Sequence, residues 1–232
     1  MKNLTQYIQE KLIIKKNRNV IKKNYNYNYF PQTKEELREI INQRIEQEGN
    51  EVDLNDIDVS EITDMSGLFK NTNFNGDISS WDVSNVTNMN SMFYECENFN
   101  QDLSTWDVSN VTNMNSMFYE CENFNQDISS WDVSNVTDMS DMFCKCISFN
   151  KDISKWNISN VTDIKYMFYC CYKFNQDISK WNVSNVTDMS EMFYRCFKFN
   201  KDISTWDISN LDENRYMFKD CAIEEKYKPK FK

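Results

Sequence analysis

Apolar residues recur along this chain with two nested spacings, and the longer one organises the shorter. The six tryptophans stand 25 residues apart, at Trp81, Trp106, Trp131, Trp156, Trp181 and Trp206. The same interval carries Phe74, Phe99, Phe124, Phe149, Phe174 and Phe199, each followed by Asn, and Met-Phe pairs from Met92-Phe93 to Met217-Phe218. Six of the eight cysteines share one column, at 96, 121, 146, 171, 196 and 221, and an aspartate column runs through Asp77, Asp102, Asp127, Asp152, Asp177 and Asp202. The stretch from Trp81 to Asn100 recurs unchanged from Trp106 to Asn125. Self-similarity at such a period marks a repeat architecture, in which each unit packs only on its neighbours.

Within one unit, Met189, Met192, Phe193 and Cys196 sit at i, i+3, i+4 and i+7, the apolar face of a short helix. Asp202 to Ile208 is rich in β-branched and aromatic residues, as a strand is. The pattern therefore predicts an α/β repeat solenoid, a leucine-rich-repeat-like stack of about seven coils. Each coil would hold a short strand plus a short helix or 3-10 segment, and at about 4.8 Å per coil the stack would be roughly 30 Å long. Residues 50–223 form this array. Its first unit, from Asp58, is one residue short, and Leu211-Asp212-Glu213-Asn214 replaces the usual Val-Thr-Asp-Met at the far end.

Ahead of the array, Thr33 and Glu36 make a capping box, and Leu37, Ile40, Ile41 and Ile45 follow at helical spacing. Pro31 blocks extension upstream and Gly49 is a natural stop. Residues 31–49 are thus predicted as an N-terminal capping helix over the open edge of the first coil. Residues 1–30 are read as a basic, poorly ordered or partly helical tail, and 224–232 as a basic C-terminal tail.

Charge narrows the partners. Residues 1–30 hold seven Lys or Arg against Glu10 alone, +6 of a total of −10, so residues 31–232 carry −16. An acidic array is not expected to bind nucleic acid, whose phosphates call for cations. The 3 Gly and 2 Pro leave the turns to Asn, Asp and Ser. No stretch reaches the roughly 18 apolar residues of a membrane span, and no export signal is seen, which by sequence reads as cytoplasmic. Eight cysteines in a chain of this length read as reduced, buried thiols.

The unit from Phe124 to Cys146, with Ser129-Ser130-Trp131 and Asp138-Met139 inside it, resembles the repeat of BspA-like leucine-rich repeat surface proteins, also called the mycoplasma lipoprotein-associated repeat. The resemblance covers about three quarters of the chain. It implies a leucine-rich-repeat-like stack, adhesion or host-surface binding, and a surface or secreted location.

Catalysis is not expected: with no histidine in the chain, Ser-His-Asp, Cys-His and histidine-metal arrangements are unavailable. The aspartate column from Asp77 to Asp202, with Asp102, Asp127, Asp152 and Asp177 assigned to the structural ladder, is either a row of calcium ligands or a row of caps on backbone turns, and the capping reading is preferred, so no metal and no cofactor is expected. The tryptophan and phenylalanine columns are assigned to a structural ladder; a sugar-stacking role for the indoles is the alternative. Ser80, Thr105, Ser130, Lys155, Lys180 and Thr205, each one residue before a tryptophan, vary along the array and are the candidate binding surface. The expected function is a monomeric, non-enzymatic protein-interaction module with a protein partner, the adhesin-like role being what the resemblance implies. A carbohydrate-binding protein or an intracellular scaffold of a phage or virus is the alternative.

Overall fold

The computed structural model describes residues 27–231, so the tail predicted over 1–30 lies almost wholly outside the described residues. Helix α1 spans Lys34–Glu48. Thr33 caps it by accepting the Glu36 N–H, the Glu36 carboxylate accepts the Gln32 N–H, and Gly49 closes it at φ 90° with its N–H on the Ile45 carbonyl. Beyond α1, the chain climbs in stacked coils whose positions correspond every 25 residues. Parallel one-residue bridges join Asp64, Asn88, Asn113, Asp138, Asp163, Asp188 and Glu213 in order. These seven positions open coils 1 to 7, the first coil being one residue shorter.

The coils are not built as expected. Among the described residues the only helices are α1 and a three-residue 3-10 turn at Glu225–Tyr227, and the parallel pairings are isolated bridges. The α/β solenoid of strand-plus-helix coils is therefore incorrect. Residues 89–96 show why. Met92, Tyr94 and Cys96 donate to carbonyls three residues back, at Met89, Ser91 and Phe93. The alternate N–H groups of Met89, Ser91, Phe93 and Glu95 leave the segment and donate to Asn113, Asn115, Met117 and Tyr119 of the next coil at 2.7–3.0 Å. That alternation needs left-handed backbone at Ser91 (φ 54°) and Glu95 (φ 57°), which a helix cannot hold. The conformation costs about 1–2 kcal/mol per residue, and the bonds between coils offset it.

The segment read as a strand is also a turn. Trp206 donates its N–H to the Ile203 carbonyl, and Asp202 accepts the Ser204 N–H. Such Asx turns recur three times in a coil, for example at Asp127–Ser129, Asp132–Ser134 and Asp138–Ser140. They take the place of the missing glycines by giving a bent backbone a side-chain acceptor. Where glycine does appear it is needed: a Cβ on Gly76 would sit 2.0 Å from the Val52 carbonyl oxygen.

Identical residues stack through the middle of the coils. Phe93, Phe118, Phe143, Phe168 and Phe193 follow one another with ring centroids 5.5–5.8 Å apart, and Phe99 to Phe199 form a second row at 5.8–6.1 Å. The six indoles form a third row with only 3–5 % exposure, and neighbouring rings such as Trp131 and Trp156 lie nearly parallel, 6.4 Å apart. Each indole N–H donates to a backbone carbonyl 27 or 28 residues back, as Trp131 does to Leu103 at 3.0 Å, so burying it leaves no orphaned donor. The cysteine column does likewise, with the Cys121 thiol on the Phe93 carbonyl. All eight cysteines are free thiols, and burial pushes the Cys96 thiol up to about 11 and that of Cys121 well above the ordinary range. At roughly 1.5–3 kcal/mol per large side chain, these rows hold the coils together, and no single coil encloses a core of its own.

Candidate interaction surface

The aspartates of the sequence-predicted ladder cap turns. Asp102, Asp127, Asp152 and Asp177 each accept the N–H of the serine two residues on, at 2.8–3.0 Å. Hydrogen bonds from Ser129 hold the Asp127 carboxyl below the usual carboxylate range, and Ser154 does the same for Asp152. Among the described residues, no group of three or more acidic or cysteine side chains is arranged to hold a metal ion.

The positions preceding the tryptophans differ in their hydrogen-bond partners. Ser80 donates to the Asn55 side chain, Thr105 to the Ser79 carbonyl and Ser130 to the Ser104 carbonyl, so these hydroxyls tie one coil to the one before. Thr105, Ser130, Lys155, Lys180 and Thr205 are exposed, and Ser80 is half-buried. Lys180 and the Asp152 and Asp177 carboxylates, with Ser154 and Gln176, line an open polar groove. Three of the six positions thus act as joints between coils, and five of the six are exposed.

A different corner carries the accessible apolar groups. Where residues 89–99 and their counterparts double back, the side chain after the buried phenylalanine is tyrosine in four of the coils. Tyr94 stacks on Tyr119 at 4.4 Å, and Tyr169 on Tyr194 at 4.8 Å. Cations lie over the outer ring of each pair: the Lys70 ammonium is 4.2 Å from the Tyr94 centroid, and the Arg195 guanidinium is 5.3 Å from that of Tyr194. Three residues further on, the column reads Glu97, Glu122, Ile147, Tyr172, Phe197. Tyr172 is 37 % and Phe197 52 % exposed, and their rings stack at 5.2 Å. Lys173, Arg195 and Lys198 are exposed beside them.

Sequence reasoning missed this corner, because a helical reading of the segment hides which of its residues project. The signal was present in the drift from Glu through Ile to Tyr and Phe within one column, while the columns on either side of the core stay constant.

Fold and surface together define a class: a protein of stacked 25-residue turn units, capped at its N-terminal end by a helix, with aromatic and cationic side chains on one corner. Residues 36–146 and 126–229 match the family described as Mycoplasma protein of unknown function, DUF285, and the chain belongs to that family. No curated protein and no solved structure matches the chain. No helix among the described residues is long and apolar enough to cross a membrane.

Proposed function

We propose that this chain is a non-enzymatic protein-interaction module whose contact surface is the aromatic corner of coils 5 and 6. The observation that carries the reading is the stacked, exposed pair Tyr172 and Phe197 flanked by Lys173, Arg195 and Lys198. Large apolar rings left in water beside an arginine are the composition that anchors protein contacts, where Tyr and Arg supply much of the binding energy. Sugar stacking on the tryptophans is disfavoured by the burial of all six indoles. A catalytic reading has little to draw on: the chain has no histidine, and the exposed aspartates of the repeat are occupied in turns. The likeness of the unit to BspA-like surface repeats supports an adhesin-like setting, with a protein on another surface as the partner.

The double variant Tyr172→Ser/Phe197→Ser tests this directly. Both side chains are exposed, so the fold should be kept to within about 0.5 kcal/mol. A protein retained by the immobilised wild-type chain is expected to bind at least about tenfold more weakly to the variant, the loss of about 1.4 kcal/mol that one anchoring ring supplies. Equal retention by both chains, or no protein retained by the wild type, refutes the reading.

A further inference from the structure

The same corner changes character along the stack. In coils 2 and 3 it carries Glu95, Glu97, Glu120 and Glu122, with Asn98 and Asn123. In coils 5 and 6 the corresponding positions are Cys170, Tyr172 and Lys173, then Arg195, Phe197 and Lys198. Coil 4 stands between, with Lys145, the half-buried Ile147, and Ser148. Lys145 is already paired with Glu120, and Arg195 lies 3.7 Å from Asp220. Glu97, Glu122, Lys173 and Lys198 form no ion pair within the described residues.

Acidic and basic halves are therefore equidistant from Ile147, two coils to one side and two to the other. A surface that inverts its charge about its own midpoint is complementary to itself when turned end for end, which is the condition for a twofold, isologous contact. Side-by-side parallel pairing would set like charge on like.

We propose that this corner pairs with the same corner of a second copy, antiparallel about a twofold axis at Ile147, so that Glu97 and Glu122 of one chain meet Lys198 and Lys173 of the other. The inference rests on the corner being an interaction surface and names its partner. Tyr172 and Phe197 are then covered by the glutamate stems and asparagines of coils 2 and 3. The contact is narrow, about five coils at about 4.8 Å each, so the dimer falls among small, reversible interfaces. Its charge pairs lie at the surface, and salt weakens them.

Sedimentation equilibrium of the full chain at low and high ionic strength tests the pairing. The wild type is expected to dimerise at low salt, with a dissociation constant at least about tenfold larger in about 0.5 M NaCl. Glu97→Lys/Glu122→Lys alone, and Lys173→Glu/Lys198→Glu alone, are each expected to be monomeric; an equal mixture of the two should form a mixed dimer. All four side chains are at the surface, so circular dichroism and melting should be unchanged. A wild-type chain that stays monomeric, a dimer indifferent to both reversals, or a mixture that does not pair overturns the proposal. The capture experiment with Tyr172→Ser/Phe197→Ser judges the interaction reading separately, since a monomeric chain that still holds another protein through those rings refutes only the pairing with itself.

Discussion

The two ends of the stack are finished differently. At the N-terminal end α1 lays Leu37, Ile40 and Ile41, all buried, against the first coil, while Lys34 pairs with Asp64 at 2.8 Å and Arg38 donates to the Ser66 and Gly67 carbonyls. At the C-terminal end Ile208, Leu211 and Phe218 are only partly buried, although their counterparts one coil earlier, Val183, Val186 and Phe193, are fully so. Cover there comes from the chain around the 3-10 turn, with the Ile203 N–H on the Tyr227 carbonyl and Lys228 over the Phe218 ring. The backbone is directional as well. In residues 88–95 and their equivalents the carbonyls face the preceding coil and the N–H groups the following one, and among the described residues no following coil receives the donors of Asn214, Tyr216, Phe218 and Asp220. In a ladder where each unit is held only by its neighbours, the interior is secured twice and an end only as well as its cover allows.

The largest effect should come from opening the covered end. Ile40→Ala is expected to cost about 2–5 kcal/mol, the penalty for emptying a packed site. Phe218→Ala should cost about 1–2 kcal/mol, well below the 3–5 kcal/mol or so of a fully buried phenylalanine. Urea unfolding of both variants measures the difference, and equal losses would mean that the ends are equally secured.

The middle of the stack carries a burden that the ends do not. Burial pushes the Asp141 carboxyl up to about 6, against the opposing pull of Lys165 and with Asp163 and Asp138 adding to the rise. A raised carboxyl favours the folded state when protonated, so this stability is lost as pH rises from about 4 to about 6. Asp141→Asn is therefore expected to stabilise the chain by about 1–2 kcal/mol at pH 7, allowing for partial exposure, with no gain below about pH 4. Thermal melts at the two pH values check this, and a gain that persists in acid would rule out ionisation as its source.

The smallest contrast concerns the turn caps. Asp152→Ala, in the interior, should cost about 0.5–2 kcal/mol, the range for losing a capping carboxylate. Asp202→Ala makes the same change beside the loosely covered end and should cost less. Hydrogen exchange at Ser154 and Ser204, whose N–H groups the two carboxylates accept, would report each loss locally.

Much of the buried architecture was legible in residue spacing. The 25-residue interval gives the register in which Thr112 donates to Thr87 and Trp131 to Leu103. Thr33, Glu36 and Gly49 mark the bounds of α1. The candidate surface was less legible: Thr105 and Ser130 vary along the array, yet their hydroxyls bond to the coil before them. Variation alone does not separate a contact surface from a joint.

The sequence by itself determined which side chains stack on which, because a fixed interval leaves identical residues no other neighbours. It also determined which of them face inward, since Met89, Met92, Phe93 and Cys96 are buried in a helix or in consecutive turns alike. The tertiary structure alone decided between those two backbones. The choice depends on whether alternate N–H groups bond within the segment or to a carbonyl about 24 residues away, and that carbonyl exists only once the next coil has been laid down. The exposure of Tyr172 and Phe197 is likewise a property of the assembled stack, since both rings lie outside the buried rows and pack on each other in solvent.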